Sequence, residues 1–211
     1  GSVYSTGGQS YTGAMLLGAD TTLSGVGVVF HSTVDGAKSL TVTDSGTTQF
    51  LDKVGYTTAL TSVTTDSLGT TDINGGSVRT TGTQNYNDAI VLGADSSLTG
   101  TTITTGGTLS GAYSLAVAGN AVFGDRVSLT GSGKNLSVSG TSTVNTSSIN
   151  TSGGQSYTGA MLLGADTTLT GSGMTFGSTL KSAGGSNYSL GITDGGLTTL
   201  DGSIGSATLV D

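Results

Sequence analysis

The stretch GGQSYTGAMLLGADTTL fills residues 7–23 and returns without a change at residues 153–169. Between them, residues 82–98 read GTQNYNDAIVLGADSSL, a diverged copy 75 residues after the first and 71 before the last. A unit of about 73 residues therefore runs through the chain nearly three times, over 5–79, 80–150 and 151–211, and self-similarity at a fixed period marks a repeat architecture. A shorter rhythm lies inside it. The tetrads Ser39-Leu40-Thr41-Val42, Ser114-Leu115-Ala116-Val117 and Ser189-Leu190-Gly191-Ile192 belong to a series of apolar anchors: Leu23, Leu40, Leu60, Val78, Leu98, Leu115, Leu136, Leu169, Leu190 and Leu209. Their steps of roughly 17 to 21 residues, with one anchor between Leu136 and Leu169 left ambiguous, give a coil of about nineteen. Three strands of four or five residues and three tight bends account for that length, which is one turn of a triangular parallel β-helix climbing about 4.8 Å per coil. Tyr11, Phe50, Tyr86, Phe123, Tyr157 and Leu200 recur at about twice the interval. They are expected to stack, aromatic over aromatic and Leu over Leu, along one narrow core.

Composition points the same way. Gly, Ser and Thr make up about half of the 211 residues, yet apolar residues recur at regular intervals and only 9% of the chain is charged, so the chain is read as folded. The acidic residues are thirteen Asp and no Glu, and long helix-favouring side chains are scarce. Thr and Val suit a pleated surface, while Gly, Asp, Asn and Ser suit the bends. Zero proline fits a stack in which nearly every strand has a neighbour on both sides and needs its N–H. Together these predict an all-β, right-handed parallel β-helix, a single β-solenoid segment over 1–211 of about eleven coils. One coil cannot bury its own apolar face, so neighbour contacts must supply the stability.

The absence of cysteine excludes a disulfide framework and thiolate metal sites. A net charge of −7 argues against nucleic acid and anionic lipid as partners, and no apolar run reaches bilayer-spanning length. No signal peptide is visible, so the chain is expected to be a mature soluble segment, with Gly1-Ser2 a cloning remnant.

The phrases TTGTQNYNDAIVLGADSSLTG (80–100), FHSTVDGAKSLTV (30–42) and DINGGSVRTTG (72–82) resemble the repeat region of filamentous-haemagglutinin-like exoproteins and related giant bacterial adhesins. The resemblance covers essentially the whole chain. It implies export through an outer-membrane pore, folding outside the cell as a right-handed β-helix, and a shaft that holds binding regions away from the surface. Host-cell or surface glycans and proteins, and flanking coils of a parent protein, are the partners it implies. That family's secretion domain carries Asn-Pro motifs and this chain has no proline, so the match is to the shaft.

Candidate chemistry is sparse, and no catalytic, cofactor-binding or metal-binding residue is assigned. His31 has no second His, Cys or Glu with which to build a metal site or triad, and reads as a solvated turn residue. Asp20, Asp95 and Asp166 occupy equivalent Gly-Ala-Asp turns. A calcium-binding carboxylate ladder is set against a spacing of about four coils, roughly 19 Å, so Asx-type turn bonds are expected instead. Asp52-Lys53 and Asp125-Arg126, beside Phe50 and Phe123, raise the alternative of a carbohydrate-active β-helix enzyme, a polysaccharide lyase or hydrolase. Such enzymes converge several charges in one groove, whereas these pairs look isolated. The pairs Thr41-Val42-Thr43 and Thr102-Ile103-Thr104 are similar to the Thr ladders of ice-binding solenoids. With coil length varying they are expected to be scattered and not in register. Asn135, Asn145, Asn150 and Asn187 head glycosylation sequons, a pattern that arises often in a chain this rich in Ser and Thr. The function expected is thus a non-catalytic, secreted, cell-surface shaft.

Overall fold

The computed structural model describes residues 1–205; Leu209, the last anchor, lies outside them. The described chain contains no helix and folds as the expected right-handed β-solenoid. Short strands alternate inward and outward, as in Val28–Phe30, where Val28 and Phe30 are buried and Val29 points out. All strand pairs are parallel, and each strand bonds to the one a coil earlier and a coil later. Face I holds ten strands, from Gln9–Tyr11 to Leu190–Asp194. Face II runs from Met15–Leu16 to Thr198–Leu200, and face III from Ser2–Tyr4 to Leu180–Ser182. The long strands Ser96–Thr105 and Leu115–Phe123 turn the corner and serve faces II and III in succession. The described residues make about ten coils, against the eleven that the anchor spacing suggests for the whole chain.

Coil length is uneven. Leu109 to Val127 on face I is 18 residues, whereas Val54 to Val78 on face II is 24. Corners absorb the difference. The excess in the second case lies in the loop of residues 55–61, and a second insertion at residues 183–188 lengthens the last repeat. Where the middle repeat is instead shortened, the bend is made at Gly119, with φ of +148°. A Cβ there would stand 2.0 Å from the carbonyl oxygen of Gly100, so only glycine fits.

The long repeat does not match a whole number of coils. Counting the single bridged residue Val54 as a rung, eleven strand positions lead from Gln9–Tyr11 to Gln84–Tyr86, and eleven more to Gln155–Tyr157. Eleven strands make three and two-thirds coils. Successive copies of one sequence therefore sit on face I, then face III, then face II. The three Ser-Leu tetrads likewise fall on faces III, II and I. This is physically permissible because each face offers the same surroundings: a strand above, a strand below and the apolar interior.

The rotation overturns the expectation of one file of like residues. Tyr11, Phe30 and Phe50 do stack on face I, with centroids 5.5 and 5.1 Å apart. Tyr86 and Phe123, however, lie on face III with Thr105 between them, and Tyr157 stacks on Phe176 on face II at 5.6 Å. The leucine anchors also change face: Leu23 stacks on Val42, and Leu98 on Val117. What the core conserves is inward placement, with Leu40, Leu98, Leu115 and Leu136 all at most 1% exposed.

If faces are interchangeable, a whole repeat is removable. Deleting residues 82–152 joins Thr81 to Gly153 and sets Gln155 where Gln84 stood. The shortened chain is expected to keep its β-sheet circular dichroism and one cooperative melt, and to lose about 18 Å of length by small-angle scattering. An unfolded product would refute the equivalence of the faces.

Candidate functional site

Three kinds of polar cluster tie one coil to the next, and each arises from a repeated sequence motif. The first is Gln-x-Tyr, whose two side chains both point inward. Tyr11, Tyr86 and Tyr157 donate their hydroxyls to Oε1 of Gln9, Gln84 and Gln155 at 2.6, 3.0 and 2.7 Å. Each Gln then donates from Nε2 to a carbonyl of the next coil: Ser24 at 2.8 Å, Thr99 at 2.9 Å and Thr170 at 2.8 Å. Gln84 and Gln155 are almost fully buried, and so are their tyrosines. Burial pushes the Tyr86 and Tyr157 hydroxyls far above the usual phenol range, with the Asp88 charge adding to the shift at Tyr86. In sequence a lone Gln looks like a surface residue; its threefold recurrence two positions before Tyr is the signal that marks it.

The second cluster joins the two motifs of the sequence repeat. Asp20, Asp95 and Asp166 each accept, through Oδ1, the backbone N–H of the serine that opens the tetrad one coil on: Ser39 at 2.8 Å, Ser114 at 2.8 Å and Ser189 at 2.7 Å. These bonds hold Asp95 and Asp166 below the ordinary carboxylate range, Asp95 with help from Lys134 Nζ at 3.2 Å. The three carboxylates sit on three different corners, so they form no ladder. Their bonds run to the next coil as well as shaping the turn. Asp44 and Asp194 form a related Asp-x-Gly-x-Thr knot. Asp44 accepts from Gly46 N (2.8 Å), Thr48 Oγ1 (3.2 Å), Val28 N (2.9 Å) and Gly27 N. Asp194 accepts from Thr198 Oγ1 (2.6 Å), Gly173 N (2.6 Å) and Gly196 N (2.8 Å), which lower its pKa.

The third cluster occurs in the middle copy alone. Asp88 replaces Gly13 and Gly159 of the other copies, is 4% exposed, and sits at the corner between faces III and I. Thr65 and Thr71 of the preceding coil each donate a hydroxyl to it, both at 2.7 Å. Loss of hydration raises its pKa; the two hydroxyls oppose the rise and the nearby Asp66 charge adds to it.

The other candidates stay apart. His31 is exposed at a corner, with Nε2 3.1 Å from Ser10 Oγ. Asp52 and Asp125 each accept the N–H of the next residue, Lys53 at 2.7 Å and Arg126 at 2.6 Å, on different corners. Lys53 Nζ lies 4.2 Å over the Tyr56 ring. A concavity of about 600 Å³ lies beside the 183–187 loop and is lined by Leu162, Lys181 and Asn187, away from both pairs. Asn135, Asn145 and Asn187 are exposed, and Asn150 is half-buried on the outside of face I. The threonines depart from expectation. Thr41 and Thr104 lie in the same outward column of face III, in register through Thr64 and Asn85.

No protein-family model, curated protein or solved structure matches the chain. The fold and its polar clusters define the class, a repeat protein of the parallel β-solenoid type.

Replacing Gln84 by Leu strands the Tyr86 hydroxyl, while the Thr99 carbonyl keeps the Thr80 N–H as a donor. It is expected to destabilise the fold by about 1–3 kcal/mol for the hydroxyl left unpaired. Adding Tyr86→Phe should recover part of that loss, and strict additivity in denaturant melts would contradict the shared node. Asp88 gives a pH test. Its folded-state carboxyl holds a proton more readily than the unfolded one, so stability falls as pH rises from the ordinary aspartate value of about 3.9 through the higher folded value. Asp95, Asp166 and Asp194 act in the opposite sense, losing stability as pH falls through their lowered values. They are unchanged in Asp88→Asn, so the difference in melting temperature between the two proteins should move in favour of the variant as pH rises through that interval. A pH-independent difference would remove the charge from the account.

Proposed function

We propose that this chain is a length of structural shaft from a secreted bacterial surface protein of the filamentous-haemagglutinin-like kind, holding binding regions away from the cell without catalysis of its own. The observation that carries the reading is the repeat of three and two-thirds coils. Each added copy continues the ladder on all three faces and brings its own clasps, so the rod lengthens without a new kind of contact. Ten rungs span about 48 Å. A longer array of such copies would extend well beyond a bacterial surface. The partners of this reading are flanking solenoid coils at the ends and surface glycans or proteins of a host. The net charge of −7 and the cysteine-free chain suit an exported polyanion better than a nucleic-acid or thiol-redox protein.

The test is location in the producing cell. An antibody raised against this segment should label intact bacteria or the culture supernatant, and external protease should abolish the labelling. Recovery of the segment solely from the cytoplasmic fraction would overturn the proposal.

A further inference from the structure

Face III carries an outward surface that the repeat does not explain. Over six successive coils its central outward column reads Thr41, Thr64, Asn85, Thr104, Val122 and Thr143, each in register with the next. Two positions earlier in the chain stand Ser39, Ser62, Thr83, Thr102, Asn120 and Thr141, with Thr83 and Thr141 just before their strands. None of these twelve residues is charged or aromatic, and seven are Thr. On the same coils the outward residues of face I include Asp72 and Arg126, and those of face II include Asp35, Lys53 and Arg79.

Rotation of the repeat allows a comparison within the chain, because equivalent strands land on different faces. The position that is Val29 on face I is Thr104 on face III. Asp72 on face I becomes Thr143 on face III. Thr41 on face III becomes Ala116 on face II and Gly191 on face I, and Thr64 on face III becomes Ser137 on face II. Val122 stands where Gln49 does, and Thr104 recurs unchanged as Thr175 on face II. Inward residues follow the repeat, whereas Thr41, Thr64 and Thr143 give way to other residues on the other faces. Threonine is therefore concentrated on this face beyond what the repeat dictates.

A β-branched side chain is stiff at χ1, so each Thr repeats the placement of its hydroxyl and methyl with the ladder, about 4.8 Å along the rod and about 7 Å along the strand. An uncharged array that is periodic in two directions recognises a ligand with its own two-dimensional order. Crystalline polysaccharide is one such ligand, but its sugar faces are gripped by aromatic rings, which this array lacks. Ice presents only water-sized donors and acceptors, with spaces between them that methyl groups can fill.

We propose that face III, from Ser39 to Thr143, is an ice-binding surface. The proposal is independent of the shaft reading. The intact chain should shape growing ice crystals into facets and hold them below their melting point. Thr64→Lys with Thr104→Lys places two long charged side chains in the array without touching the core, and should abolish both effects while leaving the melting curve unchanged. Ser110→Lys with Ser128→Lys, outward on face I, should leave both effects intact. The proposal is overturned if the unaltered chain neither facets nor restrains ice, if the face I pair abolishes the effect and the face III pair does not, or if the chain binds cellulose or chitin powder through face III while leaving ice growth unaffected.

Discussion

Everything in this rod depends on the parallel ladder between one coil and the next. A strand of three to five residues cannot satisfy its own backbone and cannot bury its own apolar side chains, so both needs are met by neighbours along the axis. The ladder fixes which residues sit above and below one another, and it does so without regard to the length of the intervening corner. Coils of 18 and 24 residues can therefore stack in the same rod.

Among the described residues the buried side-chain polar groups are paired, Thr105 Oγ1 and Ser142 Oγ excepted. A Gln-x-Tyr node uses the alternation of the strand to bring two side chains inward together, and its remaining donors go to a carbonyl of the next coil, which for Ser24 and Thr99 also accepts a ladder N–H. A neutral network costs less to bury than a charge, and a fully paired one specifies register as well as stability. Asp88 is the departure: an ionisable group set beneath a corner where the sister copies have glycine, answered by two hydroxyls and by no cation. With a face offset of two-thirds of a coil, the large Tyr nodes fall on different sides of the core at different heights. A unit of twelve strands would have set all three on one face.

Much of this was legible in the sequence, and the portions that were not share a cause. Alternation, the absence of proline and the 75- and 71-residue offsets are local or directly countable, and they led to strands, a coil of about nineteen residues and a solenoid. Which face a residue occupies is a cumulative property, the count of strands modulo three. One overlooked rung shifts everything after it, and Val54 is such a rung, a single bridged residue beside a seven-residue loop. The files of Leu and of aromatic residues, and the register of Thr41 with Thr104, are hidden from the sequence for that reason. The Asp20, Asp95 and Asp166 turns are equivalent by motif, but their serine partners lie about a coil away in sequence, beyond the reach of a turn motif. Gln9, Gln84 and Gln155 carry no inward signal singly, because hydropathy places glutamine outside.

The same modular count separates two kinds of constraint on a strand. Its inward residues meet an environment that is alike on every face, so a duplicated unit can be rotated by two-thirds of a coil and still pack. Its outward residues meet whatever lies beside that face of the rod, and the rotation carries them to a new setting. Inward positions are thus held by the repeat, as Gln9, Gln84 and Gln155 are, while outward positions are free to diverge by face, as Asp72 and Thr143 do. A repeat commensurate with the coil would have offered no such freedom, because every copy would have shown one side to the same surroundings. In this chain the mismatch between eleven strands and three faces lets a single ancestral unit build three chemically distinct sides.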